Sequence, residues 1–380
     1  MKLSSILLTL TCLCVFPLYA SDTSSELELV KKELKRLQEK LVRLEQAEAQ
    51  RQKREQKQQE QEKNRAVKAE SVNKEEHKGE TRVYASLRPT FGREDKQGES
   101  FTDVQDALSN IGFKSTYEFK RGWKAIAQGE WSVDMGNNGD FGKARQVYVA
   151  LDAPFGQIGI GKQRPVHYSL IAEYVDIFNH RSSPFAYDPE GPFFVNNMLT
   201  YQKQFGSFKF MLTNQYDGPK DEGFADFQNI GISYDNEGLH LAIAHWHRDA
   251  YSEDEVRLGK TRVMSGSIAK SFDNGFYAAI AYQDFDYDFA TDRDGHTLDV
   301  SLAYRFAPQF RLKTGYFELE DGKDEQTTLN HDGANLTLEW LPADSLRFHI
   351  EYLMKNYDEL ENDSSLSVGF RYDYAKTWQF

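Results

Sequence analysis

From Thr81 to the C-terminus, apolar and polar residues alternate at every second position, the period of a strand with one face in an apolar phase and the other in water. Leu298, Val300, Leu302, Tyr304 and Phe306 alternate with Asp299, Ser301, Ala303 and Arg305. Leu346, Phe348, Ile350, Tyr352 and Met354 alternate in the same way with Arg347, His349, Glu351, Leu353 and Lys355. Short Gly, Pro, Asn and Asp turns interrupt the pattern seven times, for example at Lys120-Arg121-Gly122 and Asp273-Asn274-Gly275. Between them lie eight longer polar segments, near 92–106, 134–142, 165–195, 217–225, 250–260, 288–295, 320–332 and 356–363. Seven short turns alternating with eight long loops require sixteen antiparallel strands, with both ends of the sheet on the short-turn side.

Ahead of this region the period changes. Leu27, Val30, Leu34, Leu37, Leu41 and Leu44 follow a 3-4-3-4-3 spacing, which predicts a coiled-coil seam of about three heptads. The seam fades after Glu45 into Gln, Lys and Glu, so residues 22–79 are expected to form a helical coiled coil running into a linker. Residues 1–20 carry a basic start at Lys2, an apolar run too short to span a bilayer, and Ala20 before a cleavage point, the pattern of a secretory signal. Cys12 and Cys14, the two cysteines, both lie inside it, so the exported chain crosses an oxidising compartment without disulfides.

Composition turns the alternating region from a β-protein into a membrane one. The chain holds 5 Trp, 20 Tyr and 26 Phe, and of these only Phe16 and Tyr19 precede residue 81. Aromatics in excess of aliphatic core residues, with charges all along the opposite face, fit a transmembrane barrel with interfacial girdles. The last strand is the sharpest signal. Counting back by twos from Phe380 gives Trp378, Lys376, Tyr374, Tyr372, Phe370, Val368 and Leu366, a lipid-facing stripe ending in a C-terminal aromatic. Such an ending resembles the signal read by the outer-membrane assembly machinery, and marks Phe380 as its key residue.

Three stretches carry a resemblance to a known family. Ser109-Asn110-Ile111-Gly112-Phe113-Lys114, followed by Gly122-Trp123-Lys124-Ala125, is one. Ala144-Arg145-Gln146-Val147-Tyr148-Val149-Ala150-Leu151, with Phe155-Gly156 and Gly161-Lys162-Gln163, is another. Phe193-Phe194-Val195-Asn196-Asn197, with Thr200-Tyr201, completes the set. In this order and spacing they resemble the general bacterial porins. The resemblance implies a sixteen-stranded outer-membrane barrel over 81–380, assembled as a homotrimer among lipid and lipopolysaccharide. It also implies a third loop, here 165–195, folded into the pore, with no cofactor, no metal and no enzymatic reaction.

The resemblance further implies a constriction in which loop acids face wall bases. Asp176 falls on the acidic loop position, with Glu173 beside it, and Arg145 on a wall arginine, with Lys143 two residues earlier. Arg88 and Lys114 are further wall candidates. The loop departs from the family's Pro-Glu-Phe-Gly run, carrying Asn179, His180, Arg181 and Ser182, so Arg181 joins the candidates as a base. Lys162 and Arg164 share parity with Ile158 and Ile160 on the outer face, which places them at a subunit interface. The formal charge is -13, and with +1 from the signal and +1 from residues 21–80, the barrel region carries -15. That balance excludes nucleic acid as a partner. Much of it lies in outer-loop acids such as Asp221, Glu222 and Glu253, which predicts a mild cation preference. A substrate-specific channel for phosphate or oligosaccharides is the main alternative, with Tyr168, Tyr174, Phe178 and Phe185 as a candidate sugar track; a barrel enzyme is a lesser one. The coiled coil is expected in the periplasm, as a trimerising stalk that also reaches peptidoglycan.

Overall fold

In the computed structural model, the residues described are 31, 32, 35, 36, 57, 78–136, 139–181, 183–185, 193–217, 226–252, 256–290, 292–323 and 328–380. Two units are distinguished, Met1–Glu76 and His77–Phe380. In the first, positions 31, 32, 35, 36 and 57 are helical, and none of them belongs to the leucine seam. Leu27, Val30, Leu34, Leu37, Leu41 and Leu44, like the signal at 1–20, lie outside the described residues. No described helix is long and apolar enough to cross a membrane.

The second unit is a single antiparallel sheet of eighteen strand segments. The first four are β1 (Lys78–Leu87), β2 (Pro89–Lys96), β3 (Glu99–Asp106) and β4 (Asn110–Lys120). Next come β5 (Trp123–Val133), β6 (Phe141–Ala153), β7 (Gly156–Gln163), β8 (Val195–Phe205) and β9 (Phe208–Gln215). The middle of the sheet is β10 (Phe227–Asn236), β11 (Leu239–Tyr251), β12 (Arg257–Ser271), β13 (Phe276–Asp288) and β14 (Arg293–Ala307). It ends with β15 (Phe310–Glu320), β16 (His331–Ala343), β17 (Leu346–Tyr357) and β18 (Asp363–Gln379).

β18 pairs with β1 over Tyr372–Gln379 and with β2 over Ser364–Gly369. β3 pairs with β2, and β4 with β1. Hence β1 with β2, and β3 with β4, are single staves broken at the same level, and the barrel has the sixteen staves expected. The break is local chemistry. Pro89 has no N–H to give to a ladder, so the chain steps at Arg88. There the Arg88 N–H donates to the Ser109 hydroxyl at 2.7 Å, and its carbonyl accepts from Ala107 N–H at 2.8 Å. The ring closes because β1 and β18 are bonded along their length, so no edge strand remains.

Burial runs opposite to that of a soluble domain. Leu366 is 54 % exposed and Phe380 66 %, on the outer face, whereas Ser301, Thr337 and Glu339, facing inward, are 0 % exposed. Apolar outside and polar inside is stable only where the outside is hydrocarbon. The seven short turns fall where the sequence placed them. The long connections do not all survive as loops. The segment 92–106 is a hairpin, β2 and β3 joined at Gln97-Gly98, whose φ values of 48° and 79° match the twist of the flanking strands. Strand also extends into 250–260 and 356–363, because polar residues continue the ladder beyond the bilayer, where hydropathy carries no signal.

Candidate pore constriction

The third long connection, between β7 and β8, turns into the lumen. It opens with a π-helical turn, Tyr168–Ala172, and a helical turn, Glu173–Val175. Val166, Leu170, Ile171, Ala172 and Val175 are buried, and they pack on Met211, Ala242, Ala244, Ala269, Ala279 and Ala281 of the inner wall. Small wall residues make room for the helix. A Cβ at Gly231 would crowd Val166 and Leu170, and one at Gly315 would overlap the rings of Phe185 and Phe178. Fully burying four large aliphatic side chains contributes roughly 6–12 kcal/mol, which makes packing the main anchor of the loop.

Hydrogen bonds set its register. Wall donors take the carbonyls that the short helical turns leave open. Ser267 donates to Leu170 O at 3.0 Å, Tyr277 to Tyr174 O at 2.6 Å, Ser301 to Val175 O at 2.6 Å and Lys313 to Ile177 O at 2.5 Å. His240 joins them, with Nε2 2.9 Å from Leu170 O, Nδ1 2.6 Å from Asp235, and its ring stacked 3.4 Å from that of Tyr174. Past the helix, Asn179 donates its N–H to Glu351 and its side-chain amide to Glu339. His180 lies with Nε2 3.7 Å from Glu94 Oε1 on β2. The loop is thus held from β10 through β17, and at His180 it meets the first stave.

The space left beside the loop is a cavity of about 930 Å³. Its walls carry Arg88, Arg145, Arg305, Arg311, Arg347 and Arg371, with Arg164, Arg181 and Lys313, against Glu173 and Asp176 from the loop. Three further carboxylates pair with wall bases. Glu130 accepts from Arg145 at 2.7 Å and from Tyr84 at 2.9 Å. Asp373 accepts from Ser86 at 2.6 Å and from Arg371 at 2.9 Å. Glu339, wholly buried, meets Lys313 at 2.6 Å, Arg311 at 2.5 Å and Arg347 at 3.4 Å. The lining of this cavity therefore carries nine Arg and Lys residues against two carboxylates, Glu173 and Asp176. A second cavity, of about 610 Å³, shares Arg88, Arg145, Arg164, Tyr168, Glu173 and Arg371 with the first. The two meet at that set, which defines the candidate constriction.

Five residues named from the sequence arrive there or beside it: Arg88, Arg145, Glu173, Asp176 and Arg181. Two do not. Lys143 is exposed and lines neither cavity, because a bulge opposite Glu130 and Trp131 breaks the two-residue count between it and Arg145. Lys114 is exposed and lines neither cavity, since β4 carries it from Asn110 toward the short-turn end. Arg164 is a correction of the interface assignment. β7 ends at Gln163, strand parity stops with it, and Arg164 lies in the lumen with its guanidinium 3.4 Å from the Tyr168 ring centroid and 4.2 Å from that of Phe194. Lys162 stays on the strand opposite Val147, an exposed residue of the outer face. The bases of β14 to β18 were missed. Their signal was present: Arg305, Arg347 and Arg371 each sit one position from an exposed aromatic, hence on the inward face.

Comparison with known proteins follows the same lines. A family model described as Gram-negative porin matches residues 66–379. The chain is 25% identical over 244 residues to the major outer membrane protein P.IB of Neisseria lactamica, covering 59% of this chain and 69% of that protein. It is 23% identical over 254 residues to the protein of the same name in Neisseria meningitidis serogroup A, covering 60% and 71%. Among solved structures, an anion-selective porin from Comamonas acidovorans superposes with a TM-score of 0.64 at 14% identity, over 78% of this chain and 100% of that one. OmpT of Vibrio cholerae in its trimer form gives 0.62 at 14%, over 78% and 99%.

Proposed function

The chain belongs to the Gram-negative porin family and forms an outer-membrane β-barrel channel; on that basis we propose that it passes small hydrophilic solutes and ions passively, through a water-filled path narrowed by loop 165–195, and prefers anions. The observation that carries the preference is the excess of nine Arg and Lys residues over two carboxylates, Glu173 and Asp176, lining the cavity beside the loop. Two fields compete for the sign of selectivity. The outer-loop acids, from which the sequence suggested a cation preference, act through water and are screened within about 8–10 Å. The arginines border the path itself, where a passing ion sheds bulk solvent and screening is weakest. The constriction is therefore expected to decide the sign. Reversal potentials across a planar bilayer in a salt gradient test this: a chloride-to-potassium permeability ratio above one supports it, and a ratio below one restores the cation reading.

The arginines also favour one narrower reading, a channel with a saturable site for phosphate. Phosphate then blocks chloride current with a saturating dose response, whereas a general channel shows a linear one. The oligosaccharide reading has less support. Tyr174 is stacked on His240 of the wall, and Phe185 is buried against Phe178 and Phe317, so neither is available as a sugar track. We further infer a homotrimer with Lys162 at the subunit contact, insertion guided by the stripe ending in Phe380, and a periplasmic N-terminal segment that trimerises and reaches peptidoglycan. Cross-linking of intact outer membranes, giving a threefold ladder in the full chain, tests the assembly.

A further inference from the structure

On the outward face, near the outer-loop ends of β14 and β15, three side chains of metal-ligating type come together outside the pore. His296, Glu318 and Glu320 each offer a ligand atom, and these atoms all lie within 4.8 Å of one another, the one such group among the described residues. His296 Nε2 is 3.9 Å from Glu318 Oε1, and Nδ1 is 3.5 Å from Glu320 Oε2. The ladder creates the grouping. His296 pairs across strands with Glu320, and Glu318 follows two residues behind on the same face.

The surroundings orient the set. Tyr316 donates its hydroxyl to Glu318 Oε2 at 3.0 Å, which leaves Oε1 as the oxygen turned toward the imidazole. The Tyr282 ring stacks on the imidazole at 5.8 Å between centroids, 29° apart in plane. Like charge accumulates around them. Asp284 is the cross-strand partner of His296 on one side, and Asp332 that of Glu318 on the other. Carboxylates on adjacent strand positions repel, and one imidazole offsets at most one of them. Among the described residues, His296 is the ion-pair partner of both Glu318 and Glu320, and no Lys or Arg joins them.

We propose that His296, Glu318 and Glu320 form a site for a divalent transition-metal ion of the Zn²⁺ class. One imidazole nitrogen with two carboxylate oxygens is a donor set for zinc, with metal–ligand distances of about 2.0–2.2 Å. With one imidazole nitrogen as donor the three ligand atoms lie within 4.8 Å of one another, so the side chains close by up to about 1.5 Å to reach a common ion, within the reach of Glu320, which is 57 % exposed. The imidazole selects against Ca²⁺ and Mg²⁺, which take oxygen donors only. Remaining coordination positions face outward, away from the pore, so the site is independent of conductance.

The test is Zn²⁺ titration of the full-length, detergent-solubilised protein, first stripped with a chelator, in competition with a chromogenic zinc indicator. One Zn²⁺ per chain is expected, retained in excess Ca²⁺. His296→Ala and Glu320→Gln, each shown folded by heat-modifiable gel mobility, are expected to weaken binding by at least about tenfold, and His247→Ala to leave it unchanged. Absence of stoichiometric zinc, wild-type affinity in both His296→Ala and Glu320→Gln, or displacement by Ca²⁺ overturns the proposal.

Discussion

Across the lumen, the wall from β10 to β15 and the wall from β18 through β1 to β6 differ in what they turn inward. The first presents Ala242, Ala244, Ala269, Ala279 and Ala281, with Ser267, Tyr277, Ser301 and Lys313 as donors aimed at the loop. The second presents Arg88, Arg145 and Arg371, each alongside a polar or acidic side chain of its own wall. One wall is shaped to be covered and the other to stay open. The difference teaches that the solute path is set by where the loop finds small residues, and that the charges on the path are those the loop leaves uncovered.

The largest way to break this comparison is to detach the loop. Ile171→Asp places a carboxylate in a wholly buried apolar site, and an unpaired buried charge costs about 3–5 kcal/mol. The loop should leave the wall, and single-channel conductance in planar bilayers should rise; unchanged conductance would falsify the packing as anchor. Next comes Glu339→Gln, which leaves Lys313, Arg311 and Arg347 facing one another without their shared carboxylate. Losing one partner of a buried ion cluster also costs about 3–5 kcal/mol, spread here over the buried Lys313 and the partly exposed Arg311 and Arg347. The temperature at which the folded band converts on a gel should fall, with noisier open-channel current as Asn179 loses a partner.

On the open wall, the triple change Arg88→Gln, Arg145→Gln and Arg371→Gln sharpens the comparison. Each charge is worth about 1 kcal/mol to a passing ion at water-like dielectric, so the chloride-to-potassium ratio should fall severalfold while heat stability changes little. A stably folded variant with wild-type selectivity would put the filter elsewhere. The smallest effect belongs to Tyr277→Phe, which removes one hydrogen bond to Tyr174 O, worth about 1 kcal/mol. Brief conductance fluctuations should increase without a change in mean current.

The outward face was the easier one to read in sequence. Alternation in β14, β17 and β18 reports lipid contact directly, so the Phe380 stripe followed from period, and strand number from period together with the Gly, Pro, Asn and Asp turns between strands. The lumen was harder, because polar residues there look alike whether they meet water, the loop or each other. Nothing in Ala242 or Gly315 announces a helix resting on it. Parity failed where strands end or bulge, at Arg164 and between Lys143 and Arg145. The hairpin at 92–106 was read as loop because residues such as Arg93, Glu94 and Asp95 are charged, although their backbone pairs with β18 and β3.

The closure between β1 and β18 also governs when the molecule can exist. Gly79 and Phe380 exchange backbone hydrogen bonds of 2.6 and 2.9 Å, although they stand at opposite ends of the barrel sequence. A contact of such separation forms late and slowly, and until it forms the growing sheet carries two unpaired margins. A chain lacking β18 therefore remains an open template, exposed to proteolysis and to pairing with other such chains. β18 is thus the strand on which closure depends, since it alone joins β17 to the β1–β2 stave.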